Sequence, residues 1–274
     1  MLDILGIFTR IMLGTAPATP PAPPQKLVAS VPLVAAPGAG AATAASANEV
    51  VDNVQKFYST IKQVTAQFRQ SVTNNTFGST KTSDGTVWIM KPGKMRWDYV
   101  EKKKDKVVPK KSFISNGTNL YVVEHDNLQV VKKNLGQDLM PVAVSFLYGK
   151  GDLKSEFNAE LDKSGKFGAK GELVLKMTPK QPSAQYKNLI LVVNPGNYRV
   201  TQSVIIDSSN NVNHFRFYAP DFQKAVAADW FEFNENNPKV KNYRVVDADQ
   251  AAKSAGSNAA TPPPLPAVPP AKAK

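Results

Sequence analysis

The chain has 274 residues, no cysteine and a formal net charge of +12. The missing cysteine excludes disulfides, thiol nucleophiles, iron–sulfur clusters, cysteine zinc sites and a lipid-modified N-terminal cysteine. Low-complexity segments at both ends leave a middle, residues 48–247, of a size for one all-β domain or two smaller ones, with enough length to bury a sizeable core.

Residues 1–47 are rich in Ala and Pro. The apolar run from Leu2 to Leu13 is too short for a membrane span, and it carries Asp3 and Arg10. A weak apolar region from Leu27 to Ala36 precedes Ala45-Ser46-Ala47, which has the small-x-small form of a cleavage site. Two readings stay open: a signal peptide with a mature start near Asn48, or an unstructured N-terminal tail. Asn48 suits a helix N-cap, with Glu49 in the first turn. Val50, Val51, Val54, Phe57, Tyr58 and Ile61 recur at helical spacing and predict a helix over 49–63. Residues 64–73 alternate as a strand, and turns are expected at Asn74-Asn75 and Ser83-Asp84-Gly85.

The segment 87–99 reads as strand, turn, strand around Pro92-Gly93. It holds Trp88, Met90, Met95, Trp97 and Tyr99, with Lys91, Lys94 and Arg96 among them. That is more apolar area than one packed face needs. It fits either an ordinary aromatic sheet core or the wall of an apolar cavity with a basic rim. The segment from Lys91 to Lys111 carries nine Lys or Arg and three acids, half of the net charge. Such a patch suits an anionic partner or a solvated loop, and Pro109 marks residues 107–111 as mobile or at an edge.

Asn116-Gly117 predicts a hairpin, and Asp126-Asn127 another turn, so residues 112–131 form a β-meander. Leu139, Val142, Ala143, Phe146 and Leu147 fit a short amphipathic helix with Pro141 in its first turn. Further strands are expected over 172–177, 188–193, 200–207, 212–218, 230–233 and 243–246. The total is eleven or twelve strands with two or three helices and no internal repeat. Residues 248–274 are rich in Ala, Pro and Lys and read as a disordered or polyproline-like tail.

Little in the chain suggests catalysis. The two histidines, His125 and His214, lie far apart, and neither a metal-ligand cluster nor a Gly-x-Ser-x-Gly or phosphate-loop motif stands out. No metal, cofactor or nucleic acid is expected.

Three stretches together carry a family resemblance. They are Ala66-Gln67-Phe68-Arg69-Gln70, then Gly85-Thr86-Val87-Trp88 through Lys91-Pro92 to Arg96-Trp97-Asp98-Tyr99, then Ser115-Asn116-Gly117 followed by Leu120-Tyr121. Their order resembles the LolA family of periplasmic lipoprotein carriers over residues 50–247. The resemblance implies a mainly β fold, an open, incomplete antiparallel β-barrel of about eleven strands with two or three α-helices as a lid. It implies a monomeric, non-enzymatic carrier of acylated lipoproteins in the periplasm of a Gram-negative bacterium. Its implied partners are an inner-membrane ABC-type release complex and an outer-membrane acceptor. It further implies a lid latch at Lys91, where the family usually has Arg, and partner contact at Met95 and Arg96.

The leading expectation is therefore an acyl-binding cavity under a lid. Its expected lining is Phe68, Trp88, Met90, Trp97, Leu120 and Val122 on strands, with Val54, Phe57, Val142 and Phe146 on lid helices. Which strand face points inward stays open, because a one-residue register change exchanges the faces. The alternatives are a lipid- or lipoprotein-sensing envelope-stress module of the same fold, an enzyme acting on a lipid or glycan in the cavity, and a basic surface-binding protein.

Overall fold

A computed structural model describes residues 45–104, 106–135, 152–183 and 186–250. It begins with helix α1 (Ala47–Thr60). Its N-cap is Ser46, not Asn48, because the Ser46 hydroxyl accepts from the Glu49 N–H at 3.2 Å. Val50, Val51, Val54 and Tyr58 form its buried face. The helix stops three residues short of expectation. Ile61 is extended, and the chain enters strand β1 (Gln63–Asn74) after two linking residues.

The strands that follow are β2 (Ser79–Met90), β3 (Lys94–Lys103), β4 (Lys106–Asn116), β5 (Asn119–Glu124) and β6 (Gln129–Asn134). A one-turn helix α2 (Leu153–Glu156), which the sequence pattern missed, leads into β7 (Phe157–Leu161) and β8 (Leu173–Pro179). Then come β9 (Asn188–Val193), β10 (Val200–Ile206), β11 (Val212–Asp221) and β12 (Arg244–Asp247). The expected helix over 138–148 lies outside the described residues.

Among the described residues all twelve strands belong to one unclosed sheet, ordered β12-β6-β5-β4-β3-β2-β1-β11-β10-β9-β8-β7. This is the expected open antiparallel barrel with one exception. β12 returns from the far side of the sheet and pairs parallel with β6, Val245 facing Val130. The expected strand over 230–233 is instead a 3-10 helix (Ala228–Phe231) that packs on the outside of the sheet and buries Phe231. Pro109, expected in a mobile or edge segment, sits within β4. It faces Val100 at a register shift, in the part of β4 that has no β5 neighbour, so its missing N–H interrupts no second ladder.

Register sets three apolar layers. The concave layer is the largest and runs from Ala66 and Phe68 through Val87, Trp97 and Leu120 to Leu175, Leu191 and Phe215, with the α1 face against it. On the convex side, Ile114, Tyr121, Val123 and Val130 pack under Phe233 and Tyr243 from the C-terminal segment. Farther round, Val174, Ile190, Val192 and Val204 pack under Phe167 of the β7–β8 connection. β9 is covered on both faces, so all six of its residues are buried and its sequence shows no alternation.

Gly85 in β2 lets two neighbours approach. A Cβ there would lie 2.3 Å from the Asp98 carbonyl oxygen and 2.5 Å from the Phe68 ring. The ring can turn aside, but the carbonyl belongs to the β2–β3 ladder. Gly85→Ala should therefore destabilise the fold by about 3 kcal/mol, within the range of overpacking effects. Denaturant unfolding checks this, and an unchanged midpoint would refute the close approach.

Candidate functional site

The concave face is built by alternation. Ala66 and Phe68 of β1, Val87 and Ile89 of β2, and Met95, Trp97 and Tyr99 of β3 all point inward, as their mutual register requires. An aromatic cluster fills the centre. The Phe68 ring lies 5.1 Å from Trp97, 4.9 Å from Tyr99 and 6.0 Å from Phe215, edge-on or tilted. Leu120 and Val122 continue this face on β5.

α1 lies across the opening and makes three kinds of contact. Its valines are fully buried against the concave layer. The Tyr58 hydroxyl accepts from the Val200 N–H at 3.2 Å at the start of β10, and burial pushes the Tyr58 phenol up to about 12. At the helix C-terminus, the Lys91 Nζ donates to the Tyr58 carbonyl oxygen, and the Lys91 N–H donates to the Lys62 carbonyl at 2.8 Å. The ammonium thus meets the negative end of the helix dipole at the Tyr58 carbonyl, which also accepts from the Ile61 N–H at 3.2 Å. Burial lowers the Lys91 pKa from its ordinary value.

With α1 seated, the space beneath its C-terminal end is small. A cavity of about 40 Å³ remains there, between Tyr58, Val64, Ala66, Val87, Ile89, Val200, Phe217 and Phe222. Pockets that hold drug-sized ligands run to roughly 300–1,000 Å³. Any long apolar ligand entering at this point must displace side chains of α1.

The polar groups of the concave face lie away from Lys91, toward the other end of the strands. The Gln70 amide donates to Asn213 Oδ1 at 2.8 Å, while its own oxygen and the Tyr99 hydroxyl are buried with no partner among the described residues. Burial raises the Tyr99 pKa. Beyond them Lys111 and Glu124, facing residues of β4 and β5, form an ion pair at 3.0 Å.

The expected site residues divide. Phe68, Trp97, Leu120 and Val122 are buried in the concave layer with the Val54 face of α1, and Phe57 packs at its edge, its ring 5.6 Å from Phe222. Trp88 and Met90 are corrected to the convex face, because β2 presents Val87 and Ile89 inward. The Trp88 ring meets Trp230 at 5.5 Å, edge to face. Met95, expected to contact a partner, is buried in the concave layer. Arg96 is committed within the chain: it pairs with Asp98 at 2.9 Å, donates to the Trp230 carbonyl at 3.2 Å and stacks 4.1 Å above the Trp230 ring. Val142 and Phe146 lie outside the described residues. Sequence reasoning missed Phe215, Phe217 and the two roles of Tyr58. The inward aromatic pair was legible as Phe-Arg-Phe alternation, whereas the Tyr58 contacts join residues far apart in sequence. Among the described residues, no group of three or more His, Asp or Glu side chains is placed to hold a metal.

Fold and concave face together define an unclosed barrel whose apolar interior is sealed by a helix and a cation on its last turn. Residues 59–234 match the model of the family described as outer membrane lipoprotein carrier protein LolA, and the chain belongs to that family. A protein named outer-membrane lipoprotein carrier protein from Dechloromonas aromatica is 26% identical over 183 residues, covering 67% of this chain and 82% of its own length. One of the same name from Cupriavidus necator is 27% identical, covering 66% and 82%. The crystal structure of a LolA superfamily protein from Nitrosomonas europaea aligns with 69% of this chain and 99% of its own, at TM-score 0.38 and 11% identity.

The Tyr58–Val200 bond gives a direct test of how α1 is seated. Tyr58→Phe keeps the ring and leaves the buried Val200 N–H without its acceptor. It should cost about 1–2 kcal/mol of stability and speed exchange of the Val200 amide. Amide exchange equal to the parent's would mean that the hydroxyl holds nothing.

Proposed function

We propose that the chain is a periplasmic, non-enzymatic carrier that takes the acyl chains of lipoproteins into the concave face. It receives them from an inner-membrane ABC-type release complex and gives them to an outer-membrane acceptor. Residues 48–247 form the working domain, and the Pro-rich ends are additions to it. Family membership and the shared name of its relatives support this reading. The observation that carries it is the seal: an apolar interior occupied by the chain's own helix and closed by Lys91 on the Tyr58 carbonyl.

Competition between helix and lipid explains why such a seal is useful. Burying the four α1 side chains is worth about 2 kcal/mol each, and each lipid methylene removed from water about 0.8 kcal/mol. Roughly ten methylenes thus offset the helix face. Loading and release then stay within reach of each other, and the Lys91 bond trims the balance toward release.

Acyl-chain probes test the cavity. Saturable binding should change the emission of Trp97. Trp97→Ala should weaken probe affinity about tenfold, while Trp88→Phe on the convex face should leave it unchanged. Equal affinities for the parent and Trp97→Ala, with folding intact, would place the ligand elsewhere.

Lipoprotein hand-over tests the latch. Lys91→Leu should leave the fold intact, load more tightly and transfer more slowly to acceptor-bearing membranes. Lys91→Arg should keep or improve transfer, because its planar fork reaches two carbonyls. A Lys91→Leu protein that loads and unloads like the parent would reduce Lys91 to a turn residue.

A further inference from the structure

β3 and β4 run on past the rest of the sheet. The β2–β3 ladder ends where Asp84 faces Val100, and the β4–β5 ladder ends where Lys111 faces Glu124. Beyond Val100 and Pro109 the two strands pair only with each other, Glu101 facing Val108, Lys102 facing Val107 and Lys103 facing Lys106, while the Lys110 carbonyl still accepts from the His125 N–H at 3.0 Å. The result is a two-stranded arm with no ladder to a third strand.

Its composition is specific. Residues 101–110 contain five lysines, no arginine and two acids, Glu101 and Asp105. Lys102, Lys103, Lys104, Lys106 and Lys110 are all exposed, and so is Val107, at 67%. Among the described residues only Lys103 of the five forms ion pairs, at 3.6 Å to Glu101 and 3.5 Å to Asp126. Both are solvent-exposed and contribute little. The next lysine, Lys111, turns to the concave face and pairs with Glu124, which ends the arm sharply.

We propose that this arm docks the protein on an anionic phospholipid bilayer, its ammonium groups among the lipid phosphates and Val107 at headgroup depth. The residue types favour that partner over an acidic protein. Lysine is a compact charge on a flexible stem, suited to phosphates that move laterally, whereas fixed carboxylates favour the arginine fork. Each lysine near an anionic membrane adds attraction, and an exposed valine gains by leaving water. The arm also sits at the opposite end of β3 from the Lys91 turn, roughly 30 Å away at the usual strand rise. Docking there leaves the C-terminal end of α1 clear. The proposal does not depend on the carrier reading, since a bilayer-seated protein of another function would show the same arm.

The test is sedimentation of the full chain with vesicles of phosphatidylethanolamine and phosphatidylglycerol, beside vesicles of phosphatidylcholine alone, across a salt series. The parent should bind the anionic vesicles, lose binding as salt rises and ignore the zwitterionic ones. Each of Lys102→Gln, Lys104→Gln and Lys106→Gln should weaken partitioning about fivefold at low salt. Val107→Ser should weaken it a few-fold at every salt concentration. All four positions are exposed, so unfolding midpoints should match the parent's; the salt series on the parent is read without any variant. Equal binding to both vesicle types, or lysine variants that bind like the parent, overturns the proposal. So does a parent that ignores anionic vesicles yet is retained by polyglutamate.

Discussion

An apolar face on an open, curved sheet must be covered, and in this protein the cover is a helix from the same chain. α1 supplies valines at helical spacing and seals the concave layer where the strands leave it unclosed. Most of the remaining arrangement follows from that contact. Tyr58 ties the helix to β10 through its hydroxyl and to the β2–β3 turn through its carbonyl, so one residue joins both sides of the opening. A cover held by burial and a few hydrogen bonds can yield to a ligand that offers comparable apolar area. A covalently closed or fully paired barrel could not.

The convex side is built in the opposite sense. Arg96, Asp98, Trp88 and Trp230 form a stacked and ion-paired set that fastens the C-terminal segment to β2 and β3. His125 adds to it, facing the Tyr243 hydroxyl at 3.0 Å and Ser112 at 3.2 Å. β12 then continues the sheet beside β6. These contacts brace the back of the sheet.

The concave face is itself graded. It is aromatic and aliphatic beneath α1. Toward the other end it carries Gln70 bonded to Asn213, the Tyr99 hydroxyl, which has no partner among the described residues, and the Lys111–Glu124 pair. Methylenes gain nothing by lying against charges that are already poorly hydrated. The most apolar part of the concave face thus lies beneath α1.

The elements themselves were largely legible in the sequence, because each depends on local physics. Helical spacing marked α1, Pro92-Gly93 and Asn116-Gly117 marked turns, and period-two alternation marked the strands of the meander. β9 was found with its bounds intact from a short apolar run. Motif order also carried the family and its open-barrel fold. The tertiary structure alone decided which face each strand turns inward, since period two is satisfied equally by either choice until the neighbouring strands set the register. That is why Trp88 and Met90 exchange sides with the expectation while Phe68 and Trp97 do not. It also decided that Trp230 serves a 3-10 helix and not a strand, because its partners, Trp88 and Arg96, lie more than a hundred residues earlier in the chain. The seal on the concave face is of the same kind: a lysine and a helix carbonyl 33 residues apart meet only when the sheet curves and α1 crosses it.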